Sequence, residues 1–490
     1  MVCSRLFVEE STFVLFGEIF PQRTEGKREG AREMNIALTD GPVGRKLALF
    51  SIPMLLSNLL QQLYNAADAV IVGRLIGGDA LAAVGASHPI ASLLIAMMYG
   101  LGAGAEILIA REIGRGDQKA AKQTLDTMMV TILALSVATL AGGVFGSHYL
   151  LKLMGTPTEI LNEATGYLQV YFLGMIGVAG YNTLNGFIRS IGNSIVPLVV
   201  LILSTVLNVL LDLILVGPFH MGVTGAALAT VIAQSFSFLC CLIYVNTKKD
   251  MISCSIFHPD FRWNIVSEGF ACGVPYALQQ AANSIGALLL QTVVNSLGTQ
   301  VVTAYTVGSK IDAFAGLPMV GLSQSLGIFT SQNLGAGKPE RAEKGRRTSI
   351  VYAYCVCLVL LVLFWTCAEQ ITSLFCQDPE VIRMAADYIR ILSCAYFFAS
   401  YWVVVHGFIR GTKDMLPPTI INMIGNWGAR LPLAVLLKKY YGVLGVWLSI
   451  PCGWVLAFLM TWVYLRSKHF RRKYELQLQT EGGALDNAVE

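Results

Sequence analysis

GVTGAALATVIAQSFSFLCCLIYV, residues 222–245, carries no charged side chain and is long enough to cross a bilayer as a helix. It has a second copy: GVLGVWLSIPCGWVLAFLMTWVYL, 442–465, in which Gly222 and Gly225 land on Gly442 and Gly445. Other landmarks follow the same overlay. FIRSIGNSIVP (187–197) matches FIRGTKDMLPP (408–418), Gly114 and Gly116 match Gly335 and Gly337, and Pro53 falls near Pro275. The offset stays between 220 and 222 residues, so the chain is read as two halves of one repeated unit.

Composition sets the class. Of 490 residues, 54% are hydrophobic and 13% charged, with a mean hydropathy of +0.60. Soluble domains carry about 25% charged residues, so this chain could not cover a water-facing surface. Twelve apolar spans are predicted, with cores near 47–72, 80–110, 124–148, 160–188, 195–216, 223–246, 266–297, 302–332, 348–372, 381–409, 416–437 and 442–466. The eleven cysteines are scattered through apolar stretches without CxxC or zinc spacing, and they read as small hydrophobes. No phosphate loop and no Rossmann glycine fingerprint is present, so the sequence offers no nucleotide site to supply energy.

Loop charge orients the spans. Arg111, Arg115, Lys119 and Lys122 follow span two; Lys248, Lys249 and Arg262 follow span six. Lys338, Arg341, Lys344, Arg346 and Arg347 follow span eight, and Arg466, Lys468, Arg471, Arg472 and Lys473 follow span twelve. The odd-numbered connections are nearly bare apart from Arg74, Lys152 and the Lys438–Lys439 pair. Positive loops stay cytoplasmic, so both termini are expected inside. Six spans per half insert both halves in the same direction, which makes them parallel repeats about an axis along the membrane normal. Two lobes around a central cavity, one rocking against the other, are the expected consequence. A duplication with no transport role is the bland alternative. The division follows as 41–248 for the N-lobe, 249–265 for a cytoplasmic linker, 266–468 for the C-lobe and 469–490 for a cytoplasmic tail. Residues 1–40 fit the pattern poorly and are expected to form a disordered extension or to lie upstream of the true start.

Polar residues inside the spans point to function. Ser57, Gln61, Asn65 and Asp68 form one stripe on span one; Ser204, Asn208 and Asp212 repeat every four residues on span five. Intramembrane acids are costly and usually mark ion, proton or substrate paths. If the stripes face each other, they present two carboxylates, a carboxamide and nearby hydroxyls, a set that suits a hard cation or a proton. Two acids in a low dielectric do not both ionise unaided, so the pair is expected to titrate as a unit. Interhelical hydrogen bonding without transport is the plainer reading, and it is preferred for Ser57 and Ser204. Span seven answers with Gln279, Gln280, Asn283, Ser284, Gln291 and Asn295, which line a wet cavity but release no proton. Lys310 and Asp312, two apart, make a weak pair; Arg430 suits the carbonyls of a helix end, and Arg111 suits Glu106. Tyr64, Met97, Met98, Tyr181, Tyr305, Met319 and Tyr401 are candidates for contact with an amphipathic cation, although singly each reads as packing.

These residues bring a family into view. IPMLLSNLLQQLYNAADAVIVGRLIGGDALAAVGAS (52–87), SQNLGAGKPERAEKG (331–345) and GFIRGTKD (407–414) resemble stretches of prokaryotic multidrug and toxic compound extrusion (MATE) transporters. The resemblance covers roughly 40–470. It implies an all-α membrane protein of twelve helices in two six-helix lobes, exporting organic cations or amphipathic drugs in exchange for Na⁺ or H⁺, with no bound cofactor. It places a cation-coupling site, and a metal site if Na⁺ is the ion, at Asp68, Asn208, Asp212 and Thr230. Gln61 matches a family pocket residue, and Tyr64, Asn65, Tyr181, Asn182, Gln280 and Asn283 are expected to join it in the substrate pocket. Some members carry acids on the seventh and tenth helices; Asn283 and Ala399 stand there in this chain, so coupling is expected to rest on the N-lobe. The expected setting is the bacterial cytoplasmic membrane, as a monomer in the lipid bilayer, with small-molecule substrates, no nucleic acid and no enzymatic activity. The rivals are a lipid-linked saccharide flippase of the same superfamily, favoured by Lys310 and Arg430 but opposed by the acidic first lobe, and an ion channel.

Overall fold

The computed structural model describes residues 38–75, 78–247, 252–256 and 258–475. The N-terminal extension expected over 1–40 therefore lies outside the described residues apart from 38–40. The elements are helical: α1 (Val43–Leu75), α2 (Gly78–Arg115), α3 (Gln118–Leu153), α4 (Thr158–Leu173), α5 (Met175–Ser190), α6 (Ile195–Val216), α7 (Gly222–Thr247), α8 (Trp263–Asn295), α9 (Thr299–Gly335), α10 (Pro339–Ser373), α11 (Pro379–Gly411) and α12 (Leu416–Met423). A π-helical segment, Ile424–Arg430, joins α12 to α13 (Leu431–Arg466). Eight described helical stretches are long and apolar enough by themselves to cross a membrane. The last of them, Leu416–Arg466, holds spans eleven and twelve, and predicted span four is shared between α4 and α5, which meet at Gly174.

The helices are apolar outside and polar inside. On α6, Leu203, Val206, Leu210 and Leu213 are exposed, while Ser204, Asn208 and Asp212 are buried. A soluble helix does the reverse; here the outward face meets hydrocarbon and the polar stripe must find protein. Local chemistry sets the ends. Asp117 caps α3 by accepting from the Ala120 amide at 2.9 Å, and Asp378 caps α11 ahead of Pro379. Gly222 (φ +60°) and Gly442 (φ +56°), the glycines that open the two sequence copies, turn the chain into spans six and twelve with a positive φ that other residues rarely adopt.

Each lobe has its own core. Leu125, Met129, Phe172, Leu184 and Phe187 centre the N-lobe; Tyr305, Tyr388, Ile389 and Trp447 centre the C-lobe. Leu47, Phe50 and Met54 of α1 pack with Leu326, Phe329 and Phe408 of the C-lobe, so one core crosses between lobes. The chief interlobe packing is α2 on α8 and α9, and α1 on α9.

The seam between the lobes carries the repeat into three dimensions. Arg111 Nη1 donates to the Gly411 carbonyl at 3.3 Å, and Gln332 Nε2 donates to the Ser190 carbonyl at 2.5 Å. With an offset of 221, Arg111 corresponds to Gln332 and Ser190 to Gly411, so these bonds are repeat mates that clasp the lobes reciprocally. Between them the backbones nearly touch. A Cβ on Gly114 would lie 2.0 Å from the Gln332 oxygen, and one on Gly335 would lie 2.1 Å from the Arg111 oxygen. These are the glycines that the overlay pairs. The linker is strapped to the N-lobe beside the seam: Asp126 accepts from the Ser255 amide at 2.8 Å and from Lys122 at 2.6 Å.

Candidate functional site

α1 and α6 pack side by side and bring their polar stripes together. Asp68 and Asp212 face each other, and among the described residues no lysine or arginine acts on either carboxyl. Asp212 is fully buried and Asn208 nearly so, whereas Asp68 is half-buried. Tyr64, one turn before Asp68, is buried with its hydroxyl beside Thr230 of α7. Tyr167 and Tyr171 of α4 stack with centroids 6.1 Å apart and complete the wall near Asp68. One turn beyond the acids, Val72 and Val216 meet Val223 and Ala226 in an apolar plug.

The cluster is rich in polar atoms with no hydrogen-bond partner. Tyr64 Oη, Asp68 Oδ1, both amide atoms of Asn208 and both oxygens of Asp212 are buried in this condition. An unsatisfied buried group costs about 1–3 kcal/mol, and native interiors hold few of them. Six in one place, three of them carboxyl oxygens, define a site whose donor set is oxygen-rich and net negative. Such a set fits a proton or a hard monovalent cation, which takes carboxylate, amide and hydroxyl oxygens. Ser57 and Ser204 stay outside it, as expected, because their hydroxyls donate to carbonyls of their own helices, Pro53 at 2.9 Å and Leu201 at 3.2 Å.

The expected substrate pocket does not assemble as one set. Gln61 is half-buried and Asn65 exposed on α1, but Tyr64 belongs to the acidic cluster. Tyr181 is a core residue of the N-lobe, and Asn182 donates to the Val178 carbonyl of its own helix at 2.9 Å. Packing of α5 against α2 and α7 accounts for both. In the C-lobe, Gln280, Asn283, Asn426 and Asn422 form a carboxamide chain with links of 3.4, 3.2 and 3.1 Å. Ala399 is buried and apolar, so no acid stands at that position.

Two expectations for charged residues need correction. Glu106 is paired with Arg189, which donates Nε at 2.8 Å and Nη2 at 3.0 Å, while Arg111 serves the seam instead. Arg410 approaches from the other lobe, bonded to Ser323 at 2.7 Å and lying 4.9 Å over the Tyr276 ring. These groups line a cavity of about 30 Å³ at the seam. Arg430, read from sequence as a helix-end residue, lies within the C-lobe beside the Tyr305 hydroxyl, and its charge acts on Asp312. Asp312 accepts from Tyr396 at 2.8 Å, so Tyr396, not Lys310, is its hydrogen-bond partner. The tyrosine wall at 167 and 171 was also missed, although its four-residue spacing was a legible signal.

Two repeated helical lobes with a buried acidic cluster in the first define a membrane transporter. A family model described as MatE matches residues 53–214 and again 275–436. The chain belongs to the MATE family of multidrug transporters. It is 28% identical over 428 residues to the probable multidrug resistance protein YpnP of Bacillus subtilis (strain 168), spanning 87% of this chain and 96% of that protein. It is 29% identical over 434 residues to the probable multidrug resistance protein YoeA of the same organism, spanning 86% and 93%. In fold it is similar to an outward-facing conformation of a multidrug resistance MATE family transporter of the MOP superfamily, with a TM-score of 0.83 at 23% identity over 94% of this chain and 100% of that one.

Proposed function

We propose that the chain is an antiporter that exports amphipathic or cationic small molecules in exchange for Na⁺ or H⁺ bound at Asp68, Asn208, Asp212 and Thr230. The observation that carries this reading is the facing Asp68–Asp212 pair, which has unpaired oxygens and, among the described residues, no basic neighbour. Two such carboxyls need a mobile positive charge to sit together in a low dielectric. Cation arrival neutralises the pair and lets α1, α6 and α7 repack; drug affinity falls and drug leaves outward. The cation drives export because it binds the two states with different affinities. Similarity to proteins named for multidrug resistance supports the substrate class.

The clasped seam lies at the ends of α2 and α9 that lead into the basic loops. With those loops and both termini cytoplasmic, the clasp is the closed inner gate and the arrangement is outward-facing. Drug efflux from proteoliposomes, under separately imposed Na⁺ and H⁺ gradients, tests the proposal. One gradient is expected to drive export by the wild type, and Asp68→Asn is expected to insert normally but lose gradient-driven export. Undiminished coupled export by that variant would sink the mechanism.

A further inference from the structure

The two guanidinia beside the clasp are repeat mates with unequal partners. Arg189 and Arg410 are 221 residues apart. Arg189 has an acid: it donates Nε and Nη2 to the two carboxylate oxygens of Glu106, at 2.8 and 3.0 Å. The same offset carries Glu106 to Gly327, so the second copy keeps the arginine and lacks the acid. The packing leaves no room to restore it. A Cβ on Gly327 would lie 3.3 Å from the Gly407 carbonyl oxygen and 3.4 Å from Ile107 Cδ1, which reaches across the seam. Among the described residues no carboxylate forms an ion pair with Arg410; its contacts are the Ser323 hydroxyl and the Tyr276 ring.

Those contacts position Arg410 without neutralising it. Ser323 Oγ donates its own proton to the Val403 carbonyl at 2.6 Å and accepts from Arg410 Nη2 at 2.7 Å. The Tyr276 ring, 4.9 Å from the guanidinium carbon, holds the cation and uses none of its N–H groups. The cavity of about 30 Å³ lies here, lined by Arg410, Tyr276, the Glu106–Arg189 pair, Tyr99 and Gln324. Glu106 has both oxygens on Arg189, and that pair is neutral as a unit, so the lining keeps one positive charge. Tyr99 and Gln324 add a hydroxyl and an amide, groups that can donate to an anion. A charge left without a counter-ion between packed helices is costly, and inside a membrane protein it usually marks a substrate or ion path.

We propose that Arg410 anchors an anionic head group, a carboxylate or a phosphate, of the exported molecule. A guanidinium presents paired N–H donors whose spacing matches the oxygens of either group. Pockets that enclose a whole drug-sized molecule measure about 300–1,000 Å³. This cavity is far smaller, so it takes the head group while the body of the molecule lies in the cleft between the lobes. The substrates then include zwitterions and amphipathic anions. The lining comes from both lobes: α2 and α5 bring Tyr99, Glu106 and Arg189, and α8, α9 and α11 bring Tyr276, Gln324 and Arg410. Parting the clasp divides the site, so the head group is held differently in the two states, as export requires. This deepens the export reading above and rests on it for transport, but not for binding.

Two dyes that share a skeleton test the idea: tetramethylrhodamine, a zwitterion with a free carboxylate, and its methyl ester, a cation. The purified full chain in detergent is titrated against each, and binding is read by fluorescence polarisation against protein-free micelles. The wild type is expected to bind the acid roughly tenfold more tightly than the ester, the worth of a charge-assisted hydrogen bond. Arg410→Gln should bring the acid down to the affinity of the ester and leave the ester unchanged. Arg410→Lys, which keeps the charge without the fork, should retain part of the preference. Gln324→Glu, nearly the same in shape, puts a carboxylate into the cavity and should also abolish the preference, which keeps the test open if Arg410→Gln does not fold. A wild type that does not prefer the acid, including one that binds neither dye, overturns the proposal. So does an Arg410→Gln variant that weakens acid and ester alike, as loss of a purely structural arginine would. Displacement of the acid by an equal concentration of acetate or inorganic phosphate would assign the cavity to a free anion and overturn the head-group reading. Export is read separately in proteoliposomes: if no gradient drives either dye, the export reading fails, while the anchor is still judged on the binding preference.

Discussion

Asn208 and Asp212 show how one side chain sets the character of a helix in hydrocarbon. Both are buried on α6 without hydrogen-bond partners, on a helix made mostly of leucine, valine and isoleucine. On the proposed function, the stabilisation of that arrangement comes from the cation that the cluster binds. Asn208→Ala removes one oxygen of the proposed cation site and leaves both acids in place. It is expected to weaken apparent cation affinity roughly tenfold, about 1.4 kcal/mol, with normal insertion. Coupled efflux measured against cation concentration checks this, and an unshifted half-maximal concentration would remove Asn208 from the site. The acids were legible in the sequence because a carboxylate inside an apolar span is conspicuous and helical spacing ties it to its neighbours. Their wall was less so: Tyr167 and Tyr171 look like any aromatic residues until α4 is set against α1.

At the scale of elements, the packing of α2 against α9 is decided by missing side chains. Gly114 and Gly335 let two helices approach to a distance that a methyl group would forbid. Gly335→Ala would press a carbon against the Arg111 carbonyl, so the clasp is expected to part and, on the proposed orientation, the cytoplasmic side to open. Cys272 reports on this, being buried next to the seam with Ile107, Leu108 and Met415. In a variant retaining only this cysteine, Gly335→Ala should raise maleimide labelling several-fold; unchanged labelling would mean that the seam tolerates the methyl. The sequence marked these glycines through their repetition but assigned them no contact, because the contact joins residues more than two hundred apart.

For the molecule as a whole, the clasp predicts how the lobes move. The Ser331 hydroxyl donates to the Ile107 carbonyl at 2.7 Å across the seam. Alternating access needs this distance to grow in the inward-facing state. Cysteines at 107 and 331 joined by a short bifunctional linker are expected to arrest efflux, and a reducible linker should restore it on cleavage. Continued transport with the linker intact would exclude rocking about this seam.

The sequence by itself determined the class, the spans, the repeat and the acids of the first lobe. Those features rest on hydropathy, helical period and turn residues, which act over a few neighbours and are written along the chain. Tertiary structure alone decided who pairs with whom. It gave Glu106 to Arg189, bonded Tyr396 to Asp312, buried Tyr181 in the core and joined Arg111 to Gly411. Each of these choices depends on which helix faces lie together in a medium that forbids unpaired charge, and that is settled between helices, by packing and desolvation.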